Sequence, residues 1–371
     1  MPKPFLPQEL PIAGVEWESL IPFIGQANRA LAHYDGVLHG VPNPEVLLSP
    51  LTTQEAVLSS KMEGTQATLG EVLKFEAGEG PKQESRQLDI QEILNYRSAL
   101  RQAEEALQSK PFNLNLLFTL HDVLLNSVRG RDMSRGRFRT TQNWIGAPGC
   151  TIEEAQFVPP APTLVPSLLD KWEKYYHMEQ PDQLVQLAVV HAQFEIIHPF
   201  LDGNGRLGRI LIPLFLHEKH ILSRPMFYLS SYLEEHRDEY VDRLRALGQE
   251  DDAWTRWISF FLTALTEQAR ANALKALEIM ALYENLKRRV LDLTHSQFAI
   301  PLLDLLFEQP IFGSSTLEGR PGMPSKPMIM NLLGRLKQEG ILKTVREGRG
   351  RRGRIFALPD LVNLCEGKEV V

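Results

Sequence analysis

Apolar residues recur at helical spacing through most of this chain. Over residues 87–109 they fall at Ile90, Ile93, Leu94, Tyr96, Leu100 and Ala103, and over 113–128 at Leu116, Leu117, Leu120, Val123 and Leu124. Steps of three and four residues mark the buried face of a helix. The same spacing predicts helices at 166–176, 182–197, 206–220, 234–247 and 254–286. Nearer the start, a helix is predicted around 25–34, inside a proline-punctuated arm that reaches about residue 45. Another opens at Ser49-Pro50, with serine placed to cap and proline in the first turn. It runs through Glu55, Ala56 and Leu58 to about Glu63, where Gly64 is a stop signal.

Two stretches depart from this pattern. From 136 to 160 a short mixed run leads into the turn residues Ala147-Pro148-Gly149, then to Gln156-Phe157-Val158 and Pro159-Pro160. That order predicts a β-hairpin. After about residue 295 the spacing gives a short helix at 298–307, a loop at 319–324 and a helix from Ser325-Lys326-Pro327 to Gly340. Two short strands follow, at 341–345 and 354–358, joined by a Gly/Arg turn. Helix, turn, helix and a two-stranded ribbon predict a winged helix-turn-helix domain. No internal repeat is evident. The expected fold class is mainly α, interrupted by one hairpin. The expected domains are 1–110 (arm and first helices), 111–290 (a helical core with the hairpin at 136–160) and 295–371 (the winged domain).

Composition changes this picture little. With 371 residues, 43% hydrophobic and 23% charged, the chain has the make-up of a soluble globular protein of two or three domains. A formal net charge of -6 argues against coating nucleic acid or an anionic membrane with the whole surface, while leaving room for a local basic patch. Two cysteines, Cys150 and Cys365, are too few for a disulfide framework or a cysteine-built metal site, and they suit a reducing compartment. Met1 to Phe5 holds no apolar core followed by a cleavage site, so no signal peptide is expected. Apolar stretches such as 257–262 are far shorter than the roughly 20 residues that span a bilayer. A cytoplasmic protein with no membrane partner is expected.

The chemistry concentrates in His198-Pro199-Phe200-Leu201-Asp202-Gly203-Asn204-Gly205-Arg206-Leu207-Gly208-Arg209. Pro199 disfavours helical backbone at the residue before it, so the preceding helix should end at His198. Gly203 and Gly205 allow left-handed backbone and close approach of a ligand around Asn204. The next helix starts near Gly205, and its free N–H groups make an anion site. Arg206 and Arg209, three apart, add two guanidinium forks, which favour a polyphosphate over a single carboxylate. Asp202 beside such a site implies an accompanying cation, Mg²⁺. His198 is the nearby group suited to accept a proton near neutrality. Each feature alone is ordinary in a helical protein. Together within twelve residues they have the parts for phosphoryl or nucleotidyl transfer.

This segment resembles the motif of the Fic family, His-Pro-Phe-x-Asp/Glu-Gly-Asn-Gly-Arg-x-x-Arg, with every fixed position filled. The resemblance implies a Fic-type helical bundle and a protein adenylyltransferase that moves AMP from ATP onto a Ser, Thr or Tyr hydroxyl. It implies that His198 deprotonates that hydroxyl and that Asp202 holds Mg²⁺ on the α and β phosphates. Gly203, Asn204 and Gly205 would cradle phosphates, Arg206 and Arg209 would take the β and γ phosphates, and Phe200 would anchor the loop in the core. The run from Gly136-Arg137-Phe138-Arg139 through Trp144, Ile145 and Gly146 is similar to the family's flap, whose edge holds a target peptide as an added strand. Ser59-Ser60-Lys61-Met62-Glu63-Gly64 resembles the family's inhibitory motif, placed before the core. In such proteins the glutamate pairs with the second arginine, so Glu63, with Ser59 on the same helix face, is expected to occupy Arg209 and inhibit.

The C-terminal turn gathers Arg346, Arg349, Arg351, Arg352 and Arg354 among Gly348, Gly350 and Gly353. On a winged helix this resembles a wing lying along phosphates or entering a minor groove, so DNA is a candidate partner. Three functions stay open here: an AMP transferase that also modifies itself, an enzyme that transfers another nucleotide or removes AMP, and a DNA-binding regulator with a nucleotide sensor. An exchangeable arm and helical surfaces are compatible with a homodimer.

Overall fold

The computed structural model describes residues 3–126, 128, 133–147, 149–348 and 353–371. Arg349, Gly350, Arg351 and Arg352 of the basic turn, and Pro148 of the hairpin turn, lie outside the described residues. The chain is mainly helical, at 63% helix and 3% strand. In order the helices are α1 (Trp17–Gly40), α2 (Pro44–Leu47), α3 (Ser49–Met62), α4 (Leu69–Glu76), α5 (Glu84–Leu107), α6 (Leu114–Leu124), α7 (Val165–His177) and α8 (Gln183–Ile197). They continue with α9 (Asn204–Glu218), α10 (Ser230–Glu235), α11 (Arg237–Ala246), α12 (Ala253–Thr294), α13 (Ala299–Glu308), α14 (Lys326–Gln338) and α15 (Pro359–Glu366). The strands are β1 (Ile311–Gly313), β2 (Lys343–Arg346) and β3 (Ile355–Ala357).

The chain divides into two compact units. The first takes residues up to Asp35, Leu58–Gly64 and Asn95–Arg270; the second takes Gly36–Val57, Thr65–Leu94 and Ala271–Val371. Four of the boundaries fall inside α1, α3, α5 and α12, and the fifth, between Gly64 and Thr65, lies in the link between α3 and α4.

In the first unit α8 is apolar on every side and almost wholly buried, as a helix inside a core must be. Its start is fixed by Asp182, whose carboxylate accepts from the N–H groups of Leu184 and Val185, both at 2.9 Å. Trp172 and Trp257 flank it, and each indole N–H finds a carbonyl of α8, Val190 O at 2.8 Å and Ala188 O at 2.9 Å. α9 packs beside α8 and is buried along most of its length. The short link between these two helices carries the motif.

The hairpin expected at 136–160 forms a single antiparallel bridge, Ile145 with Phe157, instead of a ladder. Its first arm is committed elsewhere: the Arg139 N–H donates to Pro199 O at 2.9 Å, and Asn143 Nδ2 donates to Phe200 O at 3.0 Å. Pro159 and Pro160 have no N–H to extend the pairing. The helix predicted over 234–247 is two helices, broken at His236, whose ring stacks on Tyr232 with centroids 4.0 Å apart.

In the second unit β1, β3 and β2 form an antiparallel sheet in that order, one strand more than the sequence pattern indicates. The extra strand is three residues long and fully buried, too short to show a period. The core joins Leu302, Leu306 and Phe307 of α13 with Leu332, Leu333 and Leu336 of α14 and Phe356 of β3. α4 begins with a complete capping box, Thr68 with Glu71. Of the described basic residues, Arg346 donates to Gly353 O at 3.3 Å, and Arg354 Nε pairs with Glu347 at 2.8 Å.

Candidate active site

α8 ends at His198, which takes left-handed backbone at φ 49°, an uncommon state for a residue with a side chain. Pro199 closes the right-handed helical region to the residue before it, which stops α8 there. The loop that follows is tied from within. Asn204 Oδ1 accepts from the Phe200 N–H and Asn204 Nδ2 donates to Phe200 O, both at 2.9 Å. The Asn204 side chain therefore shapes the loop, and the site's anion donors are left to backbone and arginine. Phe200 is fully buried and stacks on the His121 ring, with centroids 3.8 Å apart.

His121 and Arg139 complete the scaffold, and sequence reasoning missed both roles. His121 Nδ1 accepts from the Gly136 N–H at 2.9 Å, so Nε2 carries the proton and donates to Asp202 O at 3.0 Å. Burial lowers the His121 pKa to about 4, which keeps it in that neutral form. Arg139 is 1% exposed and donates from Nε to His198 O at 2.8 Å and from Nη2 to Pro160 O at 2.6 Å. The only sequence signal for His121 is a polar residue on the apolar face of α6.

α9 starts after Gly203, at φ 80°, whose N–H donates to Asp202 Oδ1 at 2.6 Å. Arg206 Nη2 reaches the same oxygen at 3.4 Å; the arginine side chain is 3% exposed and the carboxylate 42%. The helix N-terminus, the left-handed glycine and the arginine thus face one place. No group of three or more His, Cys, Asp or Glu among the described residues could hold a metal by itself. A single exposed carboxylate beside an anion site fits Mg²⁺, which usually takes one or two carboxylates and completes its shell from phosphate and water.

Arg209 lies one turn further along α9. Its Nε donates to Ser59 Oγ at 2.8 Å and its Nη2 to Ser59 O at 2.9 Å and Glu63 Oε1 at 2.6 Å. Burial opposes ionisation of both partners, but each charge more than offsets this for the other. The Glu63 carboxyl is held below its usual range and the Arg209 guanidinium above its own. Gly205 makes room for the pair, because a Cβ there would overlap Glu63 Oε1.

A cavity of about 370 Å³ opens at this point, bordered by Glu63, Glu195, His198, Gly205, Arg209 and Tyr240. Trp144, Ile145 and Gly146 form part of its wall. Trp144 and Ile145 are 41% and 37% exposed, so the expected flap edge offers apolar surface, while the Ile145 main chain is engaged with Gln156 and Phe157. Gly146 accommodates Cys150, whose Sγ would lie 2.6 Å from a Cβ at that position. His198 reaches the cavity with Nδ1 toward Glu195 O at 3.4 Å, and burial lowers its pKa to about 4. Every site residue expected from the motifs therefore gathers around one loop and one cavity. Glu195 and Tyr240 join them without a sequence signal.

Two family models match the chain: Fic/DOC family N-terminal over residues 21–105, and Fic/DOC family over residues 111–216. Together they account for about half of it, and the chain belongs to the Fic family. A protein of Aquifex aeolicus named "Probable protein adenylyltransferase" is 26% identical over 208 residues, which is 54% of this chain and 56% of that protein. A Culex quinquefasciatus protein named "Protein adenylyltransferase Fic" is 27% identical over 203 residues, 51% of this chain and 37% of its own length. The chain thus spans about half or less of the curated relatives it matches. A crystal structure of a Fic family protein from Desulfovibrio desulfuricans G20 covers 95% of this chain and 98% of its own, at 18% identity and a TM-score of 0.58. At that identity the likeness speaks for the fold.

Proposed function

We propose that this chain is a protein adenylyltransferase that moves AMP from ATP onto a Ser, Thr or Tyr hydroxyl of a target protein, and of a neighbouring copy of itself, and that Glu63 holds it inactive. The observation that carries this reading is the three-bonded hold of Ser59 and Glu63 on Arg209, beside His198 and the α9 N-terminus. Arg206, Gly203 and the first N–H groups of α9 bind the phosphates. Asp202 would hold Mg²⁺, which when bound neutralises phosphate charge. The orientation of His198 leaves Nε2 as the base, and its lowered pKa keeps the imidazole neutral at physiological pH. The proton of the target hydroxyl moves to Nε2 as its oxygen bonds the α-phosphorus. The bond from that phosphorus to the bridging oxygen breaks, and pyrophosphate leaves. With Glu63 on Arg209 the γ-phosphate has lost its arginine, and ATP rests in a pose unsuited to in-line attack.

Transfer of label from α-labelled ATP tests this. Wild type should label weakly, Glu63→Gly at least ten-fold more, and Glu63→Gly/His198→Ala not at all. No label from any of the three in the presence of Mg²⁺ would reject the assignment. Stronger labelling from α-labelled UTP would change the nucleotide.

A second partner class rests on the C-terminal order α13, β1, the turn at Ser314–Leu317, α14, β2 and β3. That is the order of a winged helix-turn-helix, and with the basic turn it supports binding of DNA. Duplex binding should weaken with salt and disappear in Arg351→Ala/Arg352→Ala; unchanged binding in that variant removes the wing from the reading.

A further inference from the structure

Among the described residues, every hydrogen bond of the Arg209 side chain goes to the C-terminal end of α3, to Ser59 and to Glu63 just past its last turn. That side chain is only 3% exposed. Withdrawing the turn removes three acceptors at once and leaves a guanidinium where an unaccompanied charge is costly. A second acid is already at hand. Glu195, one turn before His198 on α8, borders the same cavity as Glu63 and Arg209. Its Oε1 lies against Gly208, the residue before Arg209, so closely that a Cβ there would overlap it. That oxygen is shielded from solvent and accepts no hydrogen bond among the described residues.

The other groups around it are committed. Tyr240 on α11 pairs its hydroxyl with His191 Nε2 at 2.9 Å, and His191 Nδ1 faces Gly208 O at 3.2 Å. His198 Nδ1 is directed at the main-chain oxygen of Glu195, away from its carboxyl. Arg209 from α9 and Glu63 from α3 supply the charges that act on Glu195. An acceptor without a donor thus stands beside a cation whose acceptors all sit on one removable turn.

We propose that Glu195 is the reserve counter-ion of Arg209: when the last turn of α3 withdraws, its carboxylate takes the place of Glu63 and keeps the guanidinium aimed at the polyphosphate site. This rests on the reading of Glu63 as the inhibitory residue. Glu195 is a positioning residue, acting on the nucleotide through Arg209. Its pKa is raised to about 7, first by burial, with Arg209 pulling it down and the charge of Glu63 pushing it up. Near neutral pH a large share of the engaged molecules therefore carry a proton on Glu195. When Glu63 leaves, the pull of Arg209 is unopposed by that second negative charge, and the proton passes to water. Release of the brake is coupled to loss of a proton and is favoured as pH rises.

Carboxyl ¹³C NMR of protein made with labelled glutamate reads this without any transfer reaction. Glu195→Gln identifies the resonance, and Glu195→Asp does so equally if the first variant does not fold. The titration midpoint should lie near neutrality in wild type and at least one unit lower in Glu63→Gly; an unchanged or higher midpoint overturns the proposal. In a second measurement, wild-type labelling from α-labelled ATP, expressed relative to Glu63→Gly, should rise at least three-fold between pH 6 and 8. That rise should vanish in Glu195→Gln, and an equal rise in both proteins overturns the proposal. Absence of label from Glu63→Gly at every pH would sink the transferase reading alone, because the NMR titration judges Glu195 independently.

Discussion

Asn204 shows how much of this site is held by single side chains. Its amide bonds Phe200 twice, closing a loop in which Phe200 is already stacked on His121. Asn204→Ala strands a buried main-chain N–H and should lower stability by about 1–3 kcal/mol. Urea denaturation would measure that loss, and labelling in the Glu63→Gly background should fall by more than the unfolded fraction explains. At this scale the motif was legible because its parts are contiguous: His198, Asp202, Gly203 and the two arginines lie within twelve residues. His121 and Arg139 were not. They come 77 and 59 residues before His198, and beyond the place of His121 on the apolar face of α6 nothing in their surroundings marks a buried polar role. The same holds for Glu195, which in sequence is one polar residue at the end of an apolar helix.

Among the elements, α3 is the one on which the proposed inhibition turns. Ser59 and Glu63 are four apart, so one helix face presents hydroxyl, carbonyl and carboxylate to Arg209. Ser59→Ala removes one of the three bonds, weakening the hold by about 1–2 kcal/mol. It should raise wild-type labelling by about five- to thirty-fold, and by less than Glu63→Gly does. A gain equal to that of Glu63→Gly would mean that Ser59, not the glutamate, sets the brake. Helices were the legible elements, since 3.6-residue periods persist over many turns. The turn residues and prolines of 136–160 predict a hairpin, yet its first arm bonds the motif loop through Arg139 and Asn143. Those partners are distant in sequence, and local pattern carries no trace of them.

Across the whole molecule, mainly helical architecture was plain from the chain, while the division into units was not. Four of the five unit boundaries run through helices whose periodicity is unbroken. No helix among the described residues is long and apolar enough to cross a membrane. Stability should depend on pH through groups kept neutral by burial. His121 and His198 have pKa values lowered to about 4 and His191 to about 3, so the unfolded chain binds more protons below about pH 6.5. Stability conferred by these histidines is fully present above that value and is lost as pH falls toward 4. Glu195 acts in the opposite sense, because its raised pKa makes the folded state hold an extra proton between the usual carboxylate range and about 7. Three histidines outweigh one acid, so wild type should lose stability from pH 6.5 to 5. His191→Asn should lose about 2 kcal/mol less over that interval, measured by urea denaturation at both pH values. An equal loss in the two proteins would show that His191 does not titrate on unfolding.

The clamp on Arg209 has a consequence for how any signal would be read out. Its three acceptors ride on one helical turn, so they arrive and depart together, and a half-released geometry would strand a buried charge. Under the proposed inhibition, each molecule is then either shut or open. A graded stimulus changes the number of open copies rather than the speed of each. A population sampled early in the reaction would divide sharply into working and silent molecules.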